Sequence, residues 1–164
     1  MKKQFYLNLS KTTNSKKGVI TLPLYDSVAR HEAIEKLVAR YGNGGVQERK
    51  YWRFRRDRWY GGIVTADAVG CGLLCKYCWV SDAVMFQPAE VGRFYRPDVV
   101  AKILVDLAKK KGIGQLRVSG GEPTIGKVHL LQLLDHLEGR GLIFILETNG
   151  ILIGNDQKYA EDIA

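Results

Sequence analysis

From residue 61 onward, hydrophobic and polar positions fall into an alternation of short apolar runs and longer amphipathic ones. Ile63-Val64-Thr65-Ala66-Asp67-Ala68-Val69-Gly70 reads as a strand that runs straight into Cys71. A long connection from Trp79 to Tyr95 follows, and Pro97 then sits well in the first turn of a helix, where its missing N–H costs nothing. Val99, Val100, Ile103, Leu104 and Leu107 give that helix its buried stripe, and Lys109-Lys110-Lys111-Gly112 closes it with favourable charge and a glycine. Gln115-Leu116-Arg117-Val118-Ser119 is a second strand, ending at Gly120-Gly121-Glu122-Pro123. A second helix runs from about Lys127 to Glu138, with Val128, Leu131, Leu134 and Leu137 on one side. Leu142-Ile143-Phe144-Ile145-Leu146 is apolar at every position, as a strand buried on both faces should be, and it stops at Glu147-Thr148-Asn149-Gly150. Asn155 or Asp156 is placed to cap a last helix. A β-α-β-α-β-α order with short loops predicts an α/β fold with a parallel sheet and right-handed crossovers.

The first 60 residues pattern differently, and the chain divides on this reading into an N-terminal extension, 1–60, and an α/β unit, 61–164. Phe5-Tyr6-Leu7 and Gly18-Val19-Ile20-Thr21-Leu22 read as short strands around a basic loop, the second stopped by Pro23. A helix capped by Asp26 or Ser27 carries Ala29, Ile34, Leu37, Val38 and Tyr41 near helical spacing, and Gly42-Asn43-Gly44-Gly45 ends it. Residues 49–60 interleave basic and aromatic side chains. That composition fits three uses: a nucleic-acid surface, a strand with aromatics inward and arginines in water, or a dock for a small acidic electron donor.

Composition excludes little and supports the globular reading. The 164 residues suffice for one domain with a core, and 46% hydrophobic and 26% charged residues are ordinary for a soluble protein. The formal charge of +8 is compatible with nucleic-acid or acidic partners without requiring them. No apolar run approaches the roughly 20 residues of a membrane span, and Met1-Lys2-Lys3 opens no export signal. A cytoplasmic location is therefore expected.

The chemistry concentrates in Cys71-Gly72-Leu73-Leu74-Cys75-Lys76-Tyr77-Cys78, which holds every cysteine in the chain. An odd number of clustered thiols in a chain without an export signal argues for metal binding rather than disulfides. The spacing lets one loop aim all three sulfurs at one point, and gathered thiolates suit soft metals and iron–sulfur clusters. A four-iron cluster held wholly by protein uses four cysteines, so three leave one iron free for another ligand. Zinc is the competitor, but structural zinc sites take four ligands. His31, His129 and His136 are far off in sequence and read as surface or packing residues.

With Tyr77 just before its last cysteine, this loop resembles the cluster loop of radical S-adenosylmethionine (SAM) enzymes. Gly120, Gly121, Glu122 and Pro123 resemble the same family's GGE motif, which contacts the methionine amino group of SAM. Glu147-Thr148-Asn149-Gly150 resembles the third-strand ending of pyruvate formate-lyase-activating enzymes and of the deazaguanine-forming members, where Glu147 and Asn149 would face SAM or a cation beside it. The resemblance implies a partial (β/α) barrel with its site at the C-terminal strand edge. It also implies a [4Fe–4S] cluster on Cys71, Cys75 and Cys78, and SAM chelated to the open iron beside Tyr77. The expected reaction is reductive cleavage of SAM to a 5′-deoxyadenosyl radical that abstracts hydrogen from a substrate. An electron donor such as flavodoxin or ferredoxin is implied, and the substrate is a protein, a small molecule or an RNA base. The family core has about six βα units and this chain three, so the expectation is the N-terminal part of a longer enzyme. The competing reading is a metal-stabilised nucleic-acid-binding module with a structural three-cysteine site.

Overall fold

The computed structural model describes residues 25–164; the strands expected within residues 1–22 lie outside that range. Helix α1 (Ser27–Val38) leads into strands β1 (Ala39–Tyr41), β2 (Gln47–Asp57) and β3 (Ile63–Ala68). Helix α2 (Asp82–Phe86), strand β4 (Arg93–Tyr95) and helix α3 (Pro97–Lys111) follow. The chain then forms β5 (Gln115–Gly120), α4 (Lys127–Leu137), β6 (Ile143–Leu146), α5 (Ile151–Asn155) and α6 (Gln157–Ile163). Strands β3, β5 and β6 are parallel neighbours in that order, the partial α/β barrel expected. The sheet is mixed, however, because β2 joins β3 antiparallel.

Strand β2 is where the basic and aromatic stretch goes. Arg49 pairs with Ala39 of β1 and Tyr95 of β4, and Tyr51 pairs with Ala68 of β3 and Arg93 of β4. A strand has two sides, so β4 lies along one and β1 and β3 follow each other along the other. Arg49, Lys50 and Tyr51 are all buried. The register shifts between Tyr51 and Arg53, a bulge that breaks strict alternation. The shift puts Tyr51 and Phe54 on the apolar face, ring centroids 5.8 Å apart, and leaves Arg53 and Arg55 on the other.

The two faces of the sheet differ sharply. Val64, Ala66, Ala68, Leu116 and Val118 pack under α3 and α4 with Val100, Leu104 and Leu133. The opposite face carries Thr65, Asp67, Arg117 and Ser119, buried as well. Helix α3 begins at Pro97 and ends at Gly112 in a left-handed conformation, φ 62°, as the sequence indicates. In α4 the buried positions are His129, Leu130, Leu133 and Leu137, with Val128 exposed, so the stripe is rotated from the one expected. Helix α1 likewise buries His31, Ile34 and Val38 but exposes Leu37. It stops at Val38 because Ala39–Tyr41 pair with β2, and Tyr41 is exposed there. Asp26 caps it by accepting the Ala29 N–H. At the far end Asp156, not Asn155, caps α6, and the connection from Trp79 to Tyr95 contains α2 and β4. Among the described residues no helix is long and apolar enough to cross a membrane.

His129 explains the rotation of α4. Its Nδ1 lies 3.0 Å from the Gln47 carbonyl and therefore donates, and Nε2 accepts from the Tyr51 hydroxyl at 3.0 Å. Burial holds this imidazole down to about 4, against 6.5 when free. Between those values the unfolded chain binds the extra proton, so stability falls as pH drops through that window and is unaffected above it. At about 1.36 kcal/mol per pH unit the full loss is roughly 3 kcal/mol. Urea unfolding of the protein at pH 7.5 and 4.5 should show this slope, and His129→Gln should flatten it; equal slopes in the two proteins would refute the assignment.

Candidate functional site

Three loops leave the parallel strands at one edge of the sheet: Cys71–Cys78 after β3, Gly120–Pro123 after β5, and Glu147–Gly150 after β6. The first two are laced together by main-chain bonds. Gly121 N–H donates to Ala68 O and Glu122 N–H to Gly70 O, both at 2.8 Å. A Cβ on Gly121 would lie 2.3 Å from Gly70 O, and one on Gly120 2.8 Å from Ala68 O. In the sequence this glycine pair suggests the close approach of a ligand. In the structure the close neighbour is the backbone leaving β3.

Glu122 joins the second loop to the third. Its carboxylate is 2% exposed and accepts four bonds from the protein itself. Thr124 N–H at 3.0 Å, Thr124 Oγ1 at 2.6 Å and Thr148 Oγ1 at 2.6 Å reach Oε1, and Asn149 N–H at 2.8 Å reaches Oε2. Pro123 is buried beside it. Asn149 then reaches back to the first loop, its Nδ2 lying 3.6 Å from Cys71 Sγ and 3.1 Å from His31 Nε2. His31, set aside in the sequence for its distance from the cysteines, is fully buried against them. A Cβ on Gly72 would lie 2.3 Å from its Nδ1. The only signal in the sequence was a histidine on the inner face of α1, in step with Ile34 and Val38.

The cysteines are free thiols, Cys71 and Cys75 half-buried and Cys78 exposed. Cys71 Sγ accepts from Leu73 N–H at 3.4 Å as well as from Asn149. Burial pushes its thiol above the ordinary range, and the Leu73 and Asn149 donors oppose that. Among the described residues no three His, Cys, Asp or Glu side chains are gathered closely enough to hold a single metal ion. Cys71 turns inward to its N–H donors, while Cys78 faces solvent. The donor set still fits an iron–sulfur cluster: in a cluster each thiolate binds its own iron, and the N–H groups on Cys71 favour the thiolate.

Two more of the expected site residues, Tyr77 in the cysteine loop and Glu147 in the third, have surroundings of their own. Tyr77 is 90% exposed. Glu147 is bonded to Arg117 Nη1 and Ser119 Oγ, both at 2.7 Å, on the polar face. That face was missed in the sequence, although Thr65 and Asp67 alternate with alanines there. Arg53 and Arg55 reach Asp67 at 2.7 and 2.6 Å, Arg117 reaches Asp57 at 2.9 Å, and Arg55 also meets Asp57. Three guanidinium groups thus face the carboxylates of Asp57, Asp67 and Glu147. Trp79, next to Cys78, lies under Arg55 at 5.4 Å and Arg53 at 5.8 Å, which links the cysteine loop to this network.

Arg49 sits behind the loops, 1% exposed, and donates only to carbonyls. These are Ile125 O at 2.8 Å, Val69 O at 2.7 Å, Glu122 O at 3.3 Å, Lys50 O at 3.3 Å and Val38 O at 3.4 Å. Lys50 likewise turns inward, to Pro88 O at 3.0 Å and Ala89 O at 2.6 Å. Neither is therefore placed to meet a phosphate.

The family model described as the Radical SAM superfamily matches residues 67–164, well over half of the chain and all three loops. The chain belongs to the radical SAM superfamily. It is similar to a probable GTP 3′,8-cyclase of Methanococcus vannielii, 33% identical over 94 residues, 57% of this chain and 29% of that protein. It is also similar to molybdenum cofactor biosynthesis protein 1 of Dictyostelium discoideum, 32% identical over 113 residues, 66% of this chain and 17% of that protein. The chain thus spans less than a third of the length of these curated relatives. No solved structure matches it. Radical SAM proteins typically bind a [4Fe–4S] cluster and SAM.

Proposed function

We propose that this radical SAM protein holds a [4Fe–4S] cluster on Cys71, Cys75 and Cys78 and binds SAM beside it, at the edge formed by residues 120–123 and 147–150. The observation that carries the reading is the joining of the three loops, with Glu122 bonded to Asn149 and Asn149 to Cys71. When bound, the cluster and SAM supply one-electron cleavage of SAM and hydrogen abstraction from a substrate. The chain's own part is positional. Main-chain bonds from Gly121 and Glu122 set the second loop against the cysteine loop, and the buried Glu122 carboxylate ties the second loop to the third through Thr148 and Asn149. Leu73 and Asn149 direct N–H groups at Cys71. A one-electron donor such as flavodoxin or ferredoxin is the partner this chemistry requires.

The names of the two relatives favour a small precursor in cofactor biosynthesis as substrate over a glycyl-radical protein. They therefore weigh against the activating-enzyme branch that residues 147–150 resemble. Anaerobic reconstitution with iron and sulfide, followed by low-temperature electron paramagnetic resonance with and without SAM, tests the proposal. A reduced [4Fe–4S] signal that changes shape on adding SAM is expected, and Cys71→Ala, Cys75→Ala and Cys78→Ala should each lose it. Tight zinc uptake with no cluster would overturn it.

A further inference from the structure

We infer that His31 is a positioning residue for Cys71: through the Asn149 amide it fixes an N–H···S bond to that sulfur and so raises the reduction potential of the centre Cys71 would ligate. This rests on the cluster reading above.

The assignment follows from one carbonyl. Ser27 O can only accept, so His31 Nδ1, 2.6 Å away, carries a proton. Asn149 Oδ1 accepts from Ile151 N–H at 3.0 Å, which fixes the end of the amide that is nitrogen. That nitrogen has two hydrogens and two partners. One is His31 Nε2 at 3.1 Å, which is thereby the ring's acceptor. The other is Cys71 Sγ at 3.6 Å, within reach of a bond to sulfur. The Asn149 backbone is held separately, through its N–H on Glu122. Its side chain is thus oriented at one end by Ile151 and at the other by an imidazole whose tautomer α1 dictates. The imidazole is pressed on Gly72, inside the cysteine loop, where no side chain fits.

A hydrogen bond to a cluster thiolate withdraws negative charge and favours the reduced state. His31 touches no sulfur, yet removing it frees the amide to rotate away. Redox titration of the reconstituted protein, followed by paramagnetic resonance, reads this directly. Asn149→Leu should move the midpoint to more negative potential. His31→Leu should move it the same way, and the double variant no further than Asn149→Leu alone, because both act through one bond. His31→Gln, whose amide oxygen can accept from Asn149, should return it towards the wild-type value. A wild-type midpoint in His31→Leu, or shifts that add in the double variant, overturns the inference. Should His31→Leu not fold, Asn149→Leu against His31→Gln decides it, equal midpoints overturning it. A measurement without cluster separates the two claims: nitrogen-15 NMR of the apo protein should show His31 protonated at Nδ1 and bare at Nε2. The opposite tautomer overturns this inference and leaves the proposed function standing. The expected tautomer in a wild-type protein that takes up no cluster overturns the proposed function, and with it any role on a potential.

Discussion

Replacing Arg49 with methionine is expected to lower the unfolding free energy by roughly 4 kcal/mol or more, since a buried polar group left unsatisfied costs about 1–3 kcal/mol and several lose their donor together. Ile125 O and Val69 O are the closest of these carbonyls, at 2.8 and 2.7 Å. Burial lowers the Arg49 guanidinium to about 10, which still leaves it charged at neutral pH. Among the described residues no carboxylate lies at contact distance from it; the inward-pointing carbonyl dipoles solvate the charge instead, including Val38 O at the C-terminus of α1, where a cation is favourable. Arg49→Lys keeps the charge but not the planar fork, and three donors on one atom cannot span Val38 O, Val69 O and Glu122 O together. It should therefore lose most of the same stability. Urea unfolding followed by circular dichroism measures both variants, and an Arg49→Met protein within about 1 kcal/mol of wild type would show that the carbonyls find other donors. The consequence reaches the site, because Val69 O is two residues from Cys71 and Glu122 O belongs to the loop beside it.

Arg49 also shows why part of the site was illegible in the sequence. Its partners are backbone carbonyls up to 76 positions away, and a carbonyl has no residue type to read. In sequence it is one more arginine in a basic run. The same holds for His31 and His129, each anchored through Nδ1 to a main-chain oxygen. What was legible had local causes. The β-α-β-α-β order follows from period and capping, and the three loops stand at strand ends because parallel strands place their unusual sequences there. The bulge between Tyr51 and Arg53 lies between these cases. Tyr51 and Phe54 are three apart, so no straight strand would put them on one face, and a period-2 reading cannot see it. The polar face was missed for another reason. A strand buried on both sides reads as core, and the alternation of Thr65 and Asp67 with alanines matters only once Arg53, Arg55 and Arg117 are known to stand opposite.

Gly121→Ala is expected to cost about 3 kcal/mol, the upper part of the usual range for overpacking, and to lower cluster uptake with it. Its Cβ would meet Gly70 O at 2.3 Å, Gly70 N at 2.8 Å and Gly70 C at 2.9 Å, all backbone and none able to rotate aside. Relief requires the chain after β5 to move from the chain after β3. That movement strains the two 2.8 Å bonds joining them, from Gly121 N–H and Glu122 N–H. Glu122 would carry Thr148 and Asn149 with it, since both are bonded to its carboxylate. Gly114→Ala is the control. It has no atom within 4 Å of its Cβ and an ordinary φ, so that change should be neutral or stabilise by a few tenths of a kcal/mol through the unfolded chain. Urea midpoints and iron content after reconstitution should separate the two. If Gly121→Ala matched Gly114→Ala in both, the contact between the loops would be slack, and the close pairing of Gly121 with Gly70 could not be what brings Glu122 and Asn149 to the cysteines. If stability fell and iron content held, the loops would be coupled for folding alone, and cluster uptake would depend on the cysteine loop by itself.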